Sequence, residues 1–122
     1  MAFAHTLITA IAVASTVTLA GCGNKRSDVP SCGDVGKRFL TLAHAGIERA
    51  KPDSQTERAV TDQLPAMRDS LVRACTDTAW SAEVRKCLVS ASDDVRFAAC
   101  ESQLTDDQRR ALDRRSSSSG SR

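Results

Sequence analysis

Apolar residues recur at spacings of three and four along most of the chain, a pattern typical of amphipathic helices. One series runs through Val60, Leu64, Met67, Leu71 and Cys75. An earlier series comprises Cys32, Val35, Phe39, Leu42, Ala43 and Gly46 or Ile47. This spacing places the apolar side chains on one face of a helix. We therefore predict an all-α protein in which these two helices pack through their apolar faces.

Polar residues and prolines indicate where the two helices begin and end. Ser31, with Asp34 three residues later, predicts a capped start for the first helix. The run Lys51-Pro52-Asp53 predicts a turn. Ser54 and Glu57 then form a Ser-x-x-Glu capping box, which predicts the start of the second helix. Because the turn is short, we expect the two helices to lie antiparallel.

Pro65 and several glycines lie inside these helices. Pro65 removes a backbone hydrogen bond, and because the apolar spacing continues through it, we expect a kink rather than a break. Gly36 and Gly46 each weaken the first helix by up to about 1 kcal/mol relative to alanine. Alternatively, Gly36 or Gly46 allows close contact between the two helices.

The second half of the chain predicts a smaller helical hairpin. Ser81 can cap its first helix, and Ser92 or Asp93 can cap its second. The apolar residues of the first helix are Val84, Cys87, Leu88 and Ala91. Those of the second are Val95, Phe97, Ala98, Ala99 and Cys100.

A short helix follows this hairpin. Thr105 and Gln108 form a Thr-x-x-Gln capping box, and the helix is expected to end near Arg115. Residues 114–122 contain no apolar residue and are predicted to be a disordered tail. The predicted folded domain therefore covers residues 31–113.

The N-terminal residues follow a different pattern. Residues 1–20 contain no Lys, Arg, Asp or Glu, and their apolar core is shorter than the roughly 20 residues that span a membrane. They fit a secretory signal, except that no basic residue precedes the apolar core. The run Leu19-Ala20-Gly21-Cys22 resembles the lipobox of bacterial lipoproteins. The alternative is an ordinary secretory signal in which Cys22 is free or disulfide-bonded.

The lipoprotein resemblance implies how the protein is held at a membrane. Residues 1–21 would be a signal peptide, and Cys22 would carry a diacylglyceryl group, in which each buried CH2 contributes about 0.8 kcal/mol. Residues 22–30 would be a lipidated tether whose last eight residues reach at most about 27 Å. Gly23 stands where an Asp would favour the inner membrane, so the outer membrane is expected.

The cysteine count agrees with an oxidising compartment. Of five cysteines, Cys22 would carry lipid, which leaves Cys32, Cys75, Cys87 and Cys100. An even number predicts two disulfide bonds. Antiparallel helices bring Cys32 to Cys75, and the second hairpin then pairs Cys87 with Cys100. The rival pairing is Cys32–Cys87 with Cys75–Cys100.

The resemblance extends beyond the lipobox. The motifs that carry it are Cys32…Cys75, Trp80-Ser81-Ala82-Glu83, Cys87, Cys100 and Leu104-Thr105…Gln108…Leu112. Together they resemble small four-cysteine helical lipoproteins of Gram-negative bacteria, which are mostly uncharacterised. This resemblance implies a scaffold and no particular activity.

Charge and composition exclude nucleic acid as a partner. The 17 basic and 15 acidic residues are interspersed, which is typical of a solvated helical surface. Aromatic residues make up 3% of the chain and Tyr is absent, so a stacking platform for bases is not expected.

No catalytic residue, metal site or cofactor is predicted. His44 lacks a neighbouring nucleophile motif, and no Cys-x-x-Cys pair occurs. Asp93-Asp94 and Asp106-Asp107 lie at helix starts, where acidic residues favour the helix dipole. Trp80 is expected to cover the core or a disulfide, with an exposed partner contact as the alternative.

These observations favour a non-enzymatic interaction or structural module, anchored by Cys22 to the outer membrane and facing the periplasm. An envelope protein is its expected partner. The alternative is a periplasmic carrier or chaperone for a small apolar ligand or unfolded chains. A cavity between the two hairpins would favour this alternative.

Overall fold

A computed structural model describes residues 28–119, and within this range the chain forms five helices and no strand. The helices are α1 Cys32–Ala50, α2 Ser54–Asp77, α3 Ala82–Ser90, α4 Asp94–Glu101 and α5 Asp106–Ser119. α2 packs against α1 and α5, while α1 also contacts α3 and α4. The predicted small all-α bundle with disulfide-linked hairpins is confirmed. The predicted signal peptide and Cys22 lie outside the described residues.

Two disulfide bonds fasten the bundle. Cys32 at the start of α1 is bonded to Cys75 near the end of α2, with their Cα atoms 5.8 Å apart. Cys87 of α3 is bonded to Cys100 of α4, with a Cα–Cα distance of 5.7 Å. These are the pairs that the antiparallel-hairpin argument favours, and the rival pairing is not formed.

Local hydrogen bonds fix the helix starts at most of the predicted positions. The Ser31 hydroxyl accepts from the Asp34 amide at 3.1 Å, and the Asp34 carboxylate accepts from the Ser31 amide at 2.9 Å. Ser81 accepts from the Val84 amide at 3.2 Å. Asp93, one of the two candidates, caps α4.

The predicted capping box between Ser54 and Glu57 is wrong. Asp53 caps α2 instead, because its carboxylate accepts from the amides of Gln55 and Thr56 at 3.1 and 3.0 Å. The Thr56 hydroxyl also donates to Asp53 at 2.6 Å. From this cap, α2 runs through Pro65 as one continuous helix.

The core lies between the two hairpins and includes one cysteine of each disulfide bond, Cys75 and Cys100. Its fully buried members are Val35, Ala74, Cys75 and Leu88. The apolar series of α2 is buried only in part. Leu64 and Leu71 are 3% and 4% exposed, whereas Val60 and Met67 are 39% and 45% exposed.

Gly36 marks the close approach of α1 to α2. A Cβ atom at this position would lie 2.6 Å from Val72 Cγ2 and 3.1 Å from Arg68 Cγ. At Gly46 the nearest atom is Arg49 Nη2 at 3.9 Å. Of the two glycines considered from sequence, Gly36 therefore makes the tight helix contact.

α2 ends at a non-glycine residue in the left-handed conformation. Ala79 has φ 48°, and its amide donates to the Thr76 carbonyl at 3.4 Å. The Trp80 amide donates to the Cys75 carbonyl at 3.1 Å, completing a Schellman motif. This turn directs Trp80 into the core, where it is 3% exposed and its indole N–H donates to the Thr78 hydroxyl at 3.0 Å. The alternative of Trp80 as an exposed partner contact is therefore wrong.

α5 extends beyond its predicted end. Thr105 and Gln108 form the predicted capping box, and the Gln108 side chain also donates to the Thr78 carbonyl at 3.0 Å. The helix continues to Ser119, so the predicted tail from residue 114 begins too early. The Arg115 guanidinium contacts the Asp77 carboxylate of α2, and the Ser116 hydroxyl donates to a carbonyl one turn earlier. These bonds support helix where apolar residues are lacking.

Candidate functional site

A cleft of about 270 Å³ lies between α1 and α4, where the first hairpin meets the second. α1 contributes Phe39, Leu42, Ala43 and Gly46. α4 contributes Asp94, Phe97, Ala98 and Glu101. Each set follows the spacing i, i+3, i+4, i+7, so one face of each helix forms a wall of the cleft.

The cleft is lined by small side chains and by two aromatic residues. Ala43, Gly46 and Ala98 leave space between the helix backbones. The rings of Phe39 and Phe97 lie with centroids 6.4 Å apart and planes inclined by 52°. The cleft is therefore an apolar groove closed on one side by an aromatic pair.

The two carboxylates of the cleft have different surroundings. Asp94, at the start of α4, lies 3.5 Å from an Arg49 guanidinium nitrogen, and both side chains are largely exposed. Glu101, at the end of α4, is partly buried. Burial, and then the negative charge of Asp113, raise the pKa of Glu101. Among the described residues, the one charge that shifts the pKa of Glu101 is this like charge, so no cation offsets the negative charge in that shift.

Arg38 holds the two hairpins at a fixed separation. Its Nε donates to the Ala91 carbonyl at 2.7 Å, and its Nη2 donates to the same oxygen. Ala91 caps the end of α3, so these bonds join α1 to the turn of the second hairpin. They position α4 against α1 without filling the space between them.

The end of the predicted tether is also held in place. The Arg85 guanidinium of α3 donates to the Pro30 carbonyl at 2.9 Å. The chain therefore enters α1 beside the Cys32–Cys75 disulfide, at the end of the first hairpin opposite the turn at residues 51–53.

The first ten residues of α2, which we call the α2 arm (residues 54–63), form the most exposed helical surface among the described residues. Every residue of the α2 arm is exposed. It includes Val60, and Met67 continues the same face two turns further along. The α1–α4 cleft and the α2 arm are thus two candidate sites among the described residues, which also line a wider cleft of about 900 Å³ beside the start of α1.

The remaining candidates from sequence serve structural roles or lie on the surface. His44 is exposed on α1. The Asp93 carboxylate accepts from the Arg96 amide at 2.8 Å, and this bond contributes most to lowering the pKa of Asp93. Asp106 lies 2.6 Å from Arg109, which lowers the pKa of Asp106. Within residues 28–119, no group of three His, Cys, Asp or Glu side chains is arranged to hold a metal ion.

Sequence reasoning did not find the cleft or the exposure of the α2 arm. The signal for the cleft was the small residues Ala43, Gly46 and Ala98 among larger apolar ones, but small residues also pack tightly, as Gly36 does.

Comparison with protein-family models, curated proteins and solved structures finds no match to this chain. Among helices α1 to α5, none is long and apolar enough to cross a membrane.

Proposed function

We propose that this protein is an envelope lipoprotein, anchored through Cys22, that presents the α2 arm to a protein partner as a non-enzymatic interaction module. The lipobox run Leu19-Ala20-Gly21-Cys22 supports the anchor. The outer membrane, with the folded domain facing the periplasm, is the proposed location.

The observation that carries this proposal is the position of the α2 arm relative to the tether. The tether joins α1 at the end closed by the Cys32–Cys75 disulfide. The turn at residues 51–53 lies at the other end of α1, a helix of 19 residues that spans about 28 Å. The α2 arm begins directly after this turn, so it lies at the end of the hairpin opposite the anchored end. An exposed, partly apolar helix in this position is accessible to a partner in the periplasm.

Site-specific crosslinking tests the proposed partner surface. In the full, membrane-anchored chain, a photoreactive amino acid replaces Val60 on the α2 arm or, as a control, the exposed Lys86 on α3. We expect one discrete adduct from position 60 that is absent from position 86, with the same protein identified by mass spectrometry in repeated captures. Equal adducts from both positions, or none from position 60, would contradict the proposal.

Membrane fractionation tests the anchor separately. The variant Cys22→Ser cannot carry lipid, so it is expected to move from the membrane fraction to the soluble periplasmic fraction. The intact mass of the native chain should show diacylglyceryl on an N-terminal Cys22. An unacylated chain beginning at another residue would contradict the lipoprotein proposal.

A second candidate function is favoured by the α1–α4 cleft. We propose as the alternative a carrier for a small apolar ligand, because the cleft is an apolar groove between the two hairpins with about 270 Å³ of space. Ligand sites in helical proteins commonly lie between packed helices. Binding of a small apolar probe with chemical-shift changes confined to the cleft would support it.

A further inference from the structure

The α1–α4 cleft has an uneven charge distribution as well as an apolar surface. Asp94 and Glu101 are seven residues apart on α4, which places their backbones about 10 Å apart along the groove. Asp94 is paired with Arg49. Glu101 instead lies near the like charge of Asp113 on α5, and among the described residues no cation contributes to its pKa shift. The cleft therefore has one neutralised end and one negative end.

We propose that this cleft binds a small organic ammonium ion, whose charged group pairs with Glu101 and whose apolar body lies against Phe39 and Phe97. This inference rests on the carrier function proposed as the alternative above and specifies the ligand. A cation beside Glu101 offsets the repulsion from Asp113 and the cost of partial burial, because an opposite charge within a few ångströms favours the ionised carboxylate.

The size of the cleft limits the ligand. About 270 Å³ is available. Since a water molecule occupies about 30 Å³ in the liquid, this space corresponds to roughly nine water-sized groups. An aromatic or short aliphatic group with one ammonium matches this number. Phe39 and Phe97 both line the cleft, and an aromatic ring attracts a cation that lies over its face.

The charge pattern disfavours neutral and anionic ligands of the same size. An anion in the cleft would meet the carboxylates of Asp94 and Glu101, and among the described residues no Lys or Arg lines the cleft. A neutral apolar molecule would use the aromatic surface but leave the charge of Glu101 uncompensated. The expected order of affinity is therefore ammonium, then neutral, then anion.

A ligand series titrated into the purified full chain with both disulfides intact tests this order. The probes are 2-phenylethylammonium, 2-phenylethanol and phenylacetate, which share a phenyl ring and differ in charge. Binding is followed by the backbone amide shifts of Gly46, Phe97 and Ala98. We expect the ammonium probe to bind at least about tenfold more tightly than the alcohol.

Two matched variants separate charge from shape. Glu101→Gln keeps the shape of the side chain and is expected to abolish the preference for ammonium while the alcohol still binds. Asp107→Asn removes an exposed charge from α5 outside the cleft and should leave the preference unchanged. Gly46→Leu fills the groove and should prevent binding of all three probes. Thermal unfolding of each variant verifies that it is folded.

Each contrary outcome has a distinct meaning. Equal binding of ammonium and alcohol would overturn the charged ligand and leave the carrier function in place. A preference that survives Glu101→Gln would overturn the pairing with Glu101. Absence of binding by every probe at millimolar concentration would overturn both the ammonium ligand and the carrier. None of these outcomes affects the crosslinking test of the α2 arm.

Discussion

The two halves of α2 share one helical spacing of apolar residues and have opposite surroundings. In the C-terminal half, Leu71, Ala74 and Cys75 are buried against neighbouring helices. In the α2 arm every residue is exposed, Val60 included. The C-terminal end is bonded to α1 by a disulfide and contacted by α5 through Gln108 and Arg115.

This difference separates helix formation from helix burial. Local spacing and caps are enough to make both halves helical. Burial requires a second element at the same level of the bundle, and contacts from α5 are found at the end of α2 that carries Asp77 and Thr78. The α2 arm, where no such contact is found among the described residues, is exposed, whereas the other half is buried in the core.

The largest expected effect comes from removing the disulfide at the buried end. The loop closed by Cys32–Cys75 spans 43 residues, for which the chain-entropy model assigns about 4 kcal/mol. The loop closed by Cys87–Cys100 spans 13 residues and is assigned about 3 kcal/mol. Urea unfolding of Cys32→Ala/Cys75→Ala should therefore show a larger loss than Cys87→Ala/Cys100→Ala. A larger loss of unfolding free energy from Cys87→Ala/Cys100→Ala would contradict this expectation.

Side-chain truncation compares the two halves directly. Leu71→Ala leaves a cavity in the core and should lower the free energy of unfolding by about 2–5 kcal/mol. Val60→Ala in the α2 arm should change it by less than about 0.5 kcal/mol. The measurement is urea unfolding of both variants in the same buffer. Similar losses from the two variants would mean that the α2 arm is packed.

The close approach of α1 to the buried half of α2 gives the next effect. Gly36→Ala places a methyl group against Val72 and should destabilise the fold by about 1–3 kcal/mol. Gly46→Ala is the matched control, because its Cβ enters open space and should stabilise α1 by about 0.5–1 kcal/mol. Thermal unfolding should move in opposite directions for the two variants. Equal shifts would show that the contact at Gly36 is not tight.

The end of α2 offers a smaller, stabilising change. Ala79 is left-handed at φ 48°, a conformation that glycine adopts without steric cost. Ala79→Gly should therefore raise the free energy of unfolding by about 0.5–1 kcal/mol. Ala66→Gly, in the exposed interior of the same helix, should lower it by about 1 kcal/mol. Both changes are measurable by chemical unfolding, and a loss of stability in Ala79→Gly would contradict the assigned turn.

The smallest effect is a local pH dependence at the start of the α2 arm. The Thr56 hydroxyl bond, and then the amides of Thr56 and Gln55, lower the pKa of Asp53 below its usual 3.8. Because the folded pKa is below the unfolded one, this cap contributes fully above about pH 4 and is lost as pH falls through the folded pKa. Amide exchange at Thr56 should accelerate at low pH relative to exchange at Ala74. In Asp53→Asn this extra acceleration should be absent.

Much of the local structure was predictable because it depends on residues within one turn of each other. The caps at Ser31, Ser81 and Thr105 use hydrogen bonds between residues three apart. The cap of α2 was predicted one residue too late, at Ser54 instead of Asp53, because both residue types are good helix caps. The end of α5 was missed because Arg115 contacts Asp77, which lies 38 residues away.

The candidate sites were less predictable because each depends on two distant elements. The α1–α4 cleft requires Phe39 and Phe97 to face each other, and the bonds from Arg38 to Ala91 set that spacing. The Schellman turn at Ala79 lacked the glycine that normally signals it. Because the turn was not predicted, the sequence could not decide whether Trp80 is buried or exposed.

The sequence by itself determined the helices and the helical class, because these follow from local spacing and short turns. It favoured the cysteine pairs that form but left a rival pairing open. The tertiary structure alone decided that Leu64 is buried and Val60 is exposed on the same face, and that a groove remains between α1 and α4. The physical reason is that a residue is buried only when a second surface packs against it. The same apolar stripe is core where another helix covers it and exposed surface where none does.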